Sequence, residues 1–586
     1  MKRLIDHPCP QFQRDSYVSL NGNWDFRFDD SDCGMSECWY QGFKAEKEIM
    51  VPFVYQSELS GIHDKTFHQI IWYQKEIECI ELDRARYILH FEGVDYESTL
   101  WVNGIHAGSH TGGNSSFTFD ITPFAAEGKN NIVLRVKDDL KDMTIPRGKQ
   151  YWKEQAEGMW FTQMTGIWRE VWLEKTFKTF LSNLRLTPDI NHKKLDVSIC
   201  VDGLPGGVEC TLHVKVLFGD DLVAEESKKV LDRLLFFSIG LADFNDHGLG
   251  RWWSPEQPNL YDLILSLRID GEEIDLVSSY FGMRKVSIEK NKFCLNNRPY
   301  FMRMVLDQGY FKESILTPPS FEALERDVVL TKELGFNGVR KHMMSCDSRY
   351  LYLCDYYGLA VWGEMAAAYD YSDEYAYRMI DEWKAVVWNT YNHPSIVTWV
   401  PLNESWGVPE IYYSTKQQAH AQSLYYITKS VDDTRPAISN DGWEHCESDI
   451  FTVHDYESDF EKLTGRYQSV DQIIHDMPGL NGRKFLFCPG YEYRGQPVFC
   501  SEMGGVNYRL NGLGLPIEPR EASEEDFLKK LESILNAYYS SKVIEGICYT
   551  QLTDTETEIC GLLTWNRKPK APMEQLRKII DRDRLY

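Results

Sequence analysis

The feature that most restricts this chain is a change of rhythm near Asn296. Before that point the sequence reads as short strands and turns, and after it strand and helix alternate. Such alternation builds a parallel sheet whose strands are joined by helical crossovers. Eight strand candidates can be counted: Tyr300–Asp307, Asn337–His342, Leu359–Glu364, Ser395–Glu404, Arg435–Asn440, Asp449–Tyr456, Pro497–Glu502 and Ile544–Asp554. Helical patterns lie between most of them. In the first, Ser320 is the predicted N-cap and Gly335 the stop, with Phe321, Leu324, Val328 and Leu334 close to one face. Eight strands with crossovers predict a (β/α)8 TIM barrel over residues 288–586. The pattern is least regular between the fifth and seventh strands.

The segment 1–175 carries alternating or β-branched runs such as "WYQKEIEC" and "STLWVNGIHAGSH" and no helical pattern. Asn21-Gly22 and Asn103-Gly104 are predicted as tight hairpin turns. A jelly-roll β-sandwich is the expected fold there. Strands continue over 176–287, about the length of an immunoglobulin-like β-sandwich, without the Cys–Trp–Cys spacing of antibody domains. The expected class is therefore multidomain, β plus α/β.

Net charge, at -25, argues against nucleic acid and anionic membrane as partners. No stretch reaches membrane-spanning length, and the first residues hold no apolar run of signal-peptide type. The 14 cysteines show no CxxC pair and no zinc spacing, as expected of free thiols in the cytoplasm.

In a barrel of this kind, chemistry gathers at the C-terminal strand tips. The predicted strands end in Asp307, Arg340 to His342, Glu364, Asn403-Glu404, His454 to Tyr456, Glu502 and Gln551 to Asp554. Polar strand ends are common in any soluble protein. Two glutamates, each closing a buried apolar run, are more informative. Acetal hydrolysis needs one protonated carboxyl for the leaving oxygen and one ionised carboxylate for the anomeric carbon or for water. Glu404 is the expected acid/base and Glu502 the expected nucleophile, with Asn403 offering its amide to a sugar hydroxyl. Partial burial beside a second carboxylate is expected to keep Glu404 protonated near neutral pH.

At this point the chain resembles glycoside hydrolase family 2, the β-galactosidases, β-glucuronidases and β-mannosidases. "SLNGNW", "FEGVDYESTLWVNG" and "TGIWREVWLE" are similar to the family's sugar-binding jelly roll, and "RWWSPEQPNLYDL" and "FGMRKV" to its immunoglobulin-like domain. "NHPSIVTWVPLNES" resembles the acid/base motif and "QPVFCSEMGG" the nucleophile motif, which implies Glu404 and Glu502 and retention of configuration. The sequence also departs from the family. "VRKHMMS" stands where many members have Arg-x-Ser-His-Tyr-Pro. "EIC", Glu558 to Cys560, stands where β-glucuronidases grip the uronate with Asn-x-Lys. "GEMAAAYDY" lacks the Glu-x-His pair of magnesium-dependent β-galactosidases, so no metal and no cofactor are expected.

The remaining candidates each have two readings. Arg340 orients the nucleophile, and His342 stands beside it. Lys341 meets a substrate carboxylate or pairs with Glu364 or another pocket carboxylate. Asp307 binds a sugar hydroxyl or caps its loop. Tyr456 holds the nucleophile or simply ends its strand, and His454 precedes it. Thr550 stands where strand eight often carries a pocket Trp and is followed by Gln551, so the sugar floor is expected from Trp406, Trp443 or Trp565, with Trp406 equally a packing residue. The expected protein is a retaining exo-β-glycosidase for small β-D-galactosides, with β-glucuronides or β-galacturonides as the alternative. Another class, a non-catalytic sugar-binding or sensing protein, would need neither glutamate. A small-molecule β-glycoside is the expected partner of a homo-oligomer, with no nucleic acid and no membrane.

Overall fold

The computed structural model describes residues 7–242, 244–245, 250–479, 484–510 and 521–582. A six-stranded sheet (Lys47–Val51, Gly22–Phe28, Ile70–Cys79, Gly128–Lys137, Glu97–Val102, Ile105–Thr111) faces a four-stranded one (Tyr17–Ser19, Val171–Phe177, Ala85–Phe91, Phe117–Asp120). Their inward residues, among them Trp24, Phe26, Tyr73, Leu89 and Leu134, form one core. Asn103-Gly104 makes the predicted hairpin, with Val102 opposite Ile105 and both turn residues at positive φ. Asn21-Gly22 does not. Tyr17–Ser19 and Gly22–Phe28 belong to different sheets, so the dipeptide crosses the sandwich. Asn21 anchors the crossing by accepting from the Val171 amide and donating to Glu170.

A second sandwich packs Phe180–Asp189, Lys194–Asp202 and Leu234–Gly240 against Asp221–Lys229, Cys210–Phe218, Tyr261–Ile269 and Glu272–Phe281. A small antiparallel sheet over Val286–Pro299 follows, and Phe293 and Leu295 insert among Met302, Met304, Trp362 and Phe499 of the barrel interior.

The barrel sheet holds seven parallel strands: Met302–Asp307, Gly338–Lys341, Ala360–Glu364, Ile396–Val400, Phe451–Asp455, Val498–Gly504 and Ile544–Thr550. Ser320 caps the first barrel helix, Phe321–Glu333, by accepting from the Ala323 amide, and Leu324, Val328 and Leu334 are buried. The fifth predicted strand, Arg435–Asn440, is present only as isolated bridges, Ala437 to Trp399 and Asp441 to Asn403. Pro436 has no N–H to give a ladder. Arg435 spends its guanidinium on the carbonyls of Tyr391, His393 and Ile396 instead. The predicted fourth strand also ends early, at Val400, because Pro401 breaks the ladder and Asn403-Glu404 turns away.

Candidate active site

The turn beyond the fourth barrel strand is under backbone strain. Glu404 and Ser405 both lie in the left-handed region, at φ 52° and 61°. Each such residue costs on the order of 1–3 kcal/mol unless its surroundings hold it. Here they do. The Glu404 amide donates to Asp441 O at 2.9 Å, the Ser405 amide to Asn440 Oδ1 at 2.9 Å, and the Ser405 hydroxyl to Glu444 at 2.5 Å. The same loop that failed to form a full fifth strand therefore fixes the direction of Glu404.

Glu404, His454 and Glu502 converge. One carboxylate oxygen of each glutamate and a ring nitrogen of His454 lie within 4.8 Å of one another. His454 Nδ1 is 2.7 Å from Glu404 Oε1, and Nε2 is 2.8 Å from Asp441 Oδ2. An ionised carboxylate can only accept, so these two bonds call for a proton on each ring nitrogen, an imidazolium. Burial works against that charge, but Glu502, Asp441 and the hydrogen bonds His454 donates to Asp441 and Glu404 outweigh it and push His454 up to about 10. Gly442, at φ 95°, permits this approach, since a Cβ there would stand 2.8 Å from the imidazole ring. These three residues also have donor spacing for a cation, but the imidazolium already supplies the positive charge.

The expectation that Glu404 stays protonated meets a correction here. Burial does push its carboxyl up, but the hydrogen bond and charge of His454 outweigh burial and hold it below the usual range. The raised His454 and the lowered Glu404 both favour the proton on the His454 side of their 2.7 Å bond.

Glu502 is held from both sides, by Arg340 Nη1 at 3.0 Å and by the Tyr456 hydroxyl at 2.5 Å. Arg340 is fully buried and also meets Glu364, Asp441 at 2.9 Å and Asn403 Oδ1 at 2.7 Å. Burial disfavours its charge, yet Asp441, Glu364 and Glu502 hold it well above its ordinary value. With its oxygen committed to Arg340, Asn403 presents its NH2 group to any ligand.

Two other candidates are already paired with each other. Lys341 Nζ lies 2.7 Å from Asp307 Oδ2, and Asp307 Oδ1 accepts from the Gly309 amide at 2.9 Å. Asp307 therefore caps its loop and pairs with Lys341. Glu364 pairs with Arg340, not with Lys341. His342 is buried, with Nδ1 at 3.5 Å from Glu364 and 3.9 Å from Glu502, too far for a hydrogen bond. Burial depresses its pKa well below normal, so it stays neutral. Gln551 accepts from Gln308 at 2.7 Å, while Gln551 Nε2 and Gln308 Oε1 are buried without partners.

Trp406 packs edge-on against Tyr369 and Trp160, at 5.3 and 5.9 Å between centroids. Trp443 lies edge-on to His454 at 5.4 Å. The indole N–H groups of Trp443 and Trp565 are buried without partners.

Sequence reasoning passed over Asp441, which bonds the Glu404 amide and His454. It lies in "SNDGW", after the weakest strand. It also passed over Trp160, which comes from the jelly roll to pack against Trp406 and carries no local signature.

A TIM barrel whose strand tips bring two carboxylates within reach of one sugar, behind two β-sandwiches, is the design of a glycoside hydrolase. Three family models match: "Glycosyl hydrolases family 2, sugar binding domain" over residues 17–177, "Glycosyl hydrolases family 2" over 179–284, and "Glycosyl hydrolases family 2, TIM barrel domain" over 286–582. The chain belongs to glycoside hydrolase family 2. It is 25% identical to the β-glucuronidase of Canis lupus familiaris over 95% of this chain and 90% of that one. It is 29% identical to a putative β-glucuronidase of Formosa agariphila over 58% of this chain, a match spanning 40% of that relative's length. The fold matches the β-glucuronidase of Ruminococcus gnavus with a TM-score of 0.77 at 18% identity, covering 97% of this chain and 98% of that one.

Proposed function

We propose that the protein is a retaining exo-β-glycosidase that removes a terminal β-linked uronate, a glucuronide or galacturonide, from small glycosides. One observation carries the mechanism: Glu404 and Glu502 have oxygens within 4.8 Å of each other. That is nearer the roughly 5–5.5 Å separation of a nucleophile and an acid/base than the wider spacing of inverting enzymes. The likeness to β-glucuronidases favours the uronide over the β-galactoside that the residues first suggested.

In this reading Glu502 attacks the anomeric carbon and forms a glycosyl ester, and Glu404 delivers a proton to the departing oxygen. The proton is drawn from the bond between His454 and Glu404. Glu502 is the strongest charge sustaining the imidazolium. As Glu502 spends its charge on the new bond, the imidazolium weakens and its proton passes to Glu404. Attack and protonation are thereby coupled. Water then hydrolyses the ester, with Glu404 taking its proton. Arg340 and the Tyr456 hydroxyl keep Glu502 aimed until attack.

The test is turnover of p-nitrophenyl β-D-glucuronide, galacturonide, galactoside and glucoside, with NMR of the first-formed sugar anomer. The expected result is a uronide preferred over the neutral sugar of the same configuration, released as the β-anomer. A preference for galactoside returns the neutral-sugar reading, and release of the α-anomer removes the retaining one. All 14 cysteines are free, which supports a reducing compartment such as the cytoplasm.

A further inference from the structure

Lys149 belongs to the jelly roll, but its loop is pinned to the barrel. The amides of Arg147 and Gly148 both donate to Ala367 O, at 3.0 and 2.9 Å, and the Tyr369 hydroxyl donates to Gly148 O at 2.5 Å. Gly148 lies at φ 62°, and a Cβ there would stand 2.3 Å from Met343 O. No other residue type fits so close to the loop that follows the second barrel strand. Lys149 therefore has a fixed place beside the pocket.

Lys149, Gln308 and His342 line one narrow crevice between jelly roll and barrel. Among the described residues the Lys149 ammonium has no hydrogen-bond or ion-pair partner. Gln308 and His342 are each 4% exposed, and Gln308 Oε1 and His342 Nδ1 have no hydrogen-bond partner. The lysine's charge reaches into the site, where it acts on Glu404, His342 and Glu558. Lys341 and Lys570, also near these strand tips, are paired with Asp307 and Asp554. A half-buried cation with no partner among the described residues, beside two buried unpaired polar atoms, suits an anionic ligand.

We propose that Lys149, presented by the jelly roll, receives the carboxylate of the terminal uronide and sets the preference for an acidic sugar. This rests on the uronide reading above. Glu558, facing the same charge, is the competing occupant. Burial pushes Glu558 toward its neutral form against the opposing charge of Lys149. That push weakens Glu558 as a competitor for the ammonium.

The experiment compares the same four p-nitrophenyl glycosides on wild type, Lys149→Met, Lys149→Arg, and Lys149→Met combined with Glu558→Gln. With the aglycone constant, the change is located in the sugar. Lys149→Met is expected to lower kcat/KM for the preferred uronide about 100-fold more than for its neutral counterpart, as loss of a desolvated charge pair does. Lys149→Arg should recover much of that ratio, and melting temperatures should match wild type. A wild type that prefers the neutral sugar overturns the uronide reading and this assignment together. A uronide-selective wild type whose ratio survives Lys149→Met overturns this assignment alone. So does recovery of the ratio by Glu558→Gln, because the lysine would then serve Glu558.

Discussion

Around Glu404 and Glu502 the charged groups answer one another: Arg340 meets Glu364, Asp441, Glu502 and Asn403, and His454 bridges Asp441 to Glu404. At the rim, Lys149 has no partner among the described residues, and Gln308 and His342 keep buried atoms unpaired. The floor comes from the barrel alone, while the rim is shared with the jelly roll. The contrast separates two tasks. Groups that carry out chemistry must be held in one orientation and one protonation state, and a closed network does that. Groups that select a ligand must be left wanting something the ligand brings.

If the floor is the chemical region, its loss should be felt by every substrate. Glu502→Ala is expected to lower kcat by about 10⁴-fold or more on aryl and alkyl glycosides alike. Glu404→Ala should keep first-step reactivity on a dinitrophenyl glycoside and lose it on an alkyl one. Azide should give a β-glycosyl azide from Glu404→Ala and an α-glycosyl azide from Glu502→Ala, distinguished by NMR. Swapped products would exchange the two roles.

The closed network should also bear on stability. Arg340→Met strands Glu364, Asp441 and Glu502 without their shared cation, and removing one partner of a buried charge cluster costs about 3–5 kcal/mol. Denaturant titration should register that loss. A midpoint equal to wild type would mean that the floor is not interdependent.

The pH profile sharpens the picture further. His454 is charged through neutrality because its pKa is pushed up to about 10. The kcat/KM profile should therefore stay level through neutral pH and fall on the alkaline side as the shared proton is lost. His454→Asn removes that reservoir, so the alkaline limb should move at least one unit toward acid. The charged imidazole also stabilises the fold, fully below its unfolded value of about 6.5. That contribution fades as pH rises through the raised value.

The smallest effect is expected at the seam. Gly148→Ala forces a left-handed Cβ toward Met343 O and shifts the loop that carries Lys149. KM for the uronide should rise several-fold, up to roughly tenfold, with the stereochemistry of the product unchanged. A large fall in kcat would instead tie the rim to the chemistry.

The two regions also differ in how far the sequence disclosed them. Glu404 and Glu502 each follow an apolar β-branched run, so a strand and its tip can be placed from local pattern. Arg340, His454 and Tyr456 lie at such tips too, and all touch the glutamates or their neighbours. The pairing of Lys341 with Asp307 was open between readings, because which carboxylate a strand-tip lysine meets depends on neighbouring strands. Asp441 was hidden by a fifth strand that Pro436 and the side-chain bonds of Arg435 reduce to bridges. Lys149 had no local signal. It reaches the site only because Gly148 fits against a carbonyl almost 200 residues later in the chain. Asn21-Gly22 misled for a related reason, since a turn signal does not say which sheet receives the next strand.

The pinning of Gly148 to Ala367 and Tyr369 has a consequence for an enzyme that is heated. A few hydrogen bonds across two folding units open more readily than the packed interior of either one. On warming, the jelly-roll loop should loosen while the barrel still holds its carboxylates in place. Over that interval the enzyme would go on cleaving glycosides but choose poorly among them. Its selectivity would have a melting temperature of its own, below that of its activity.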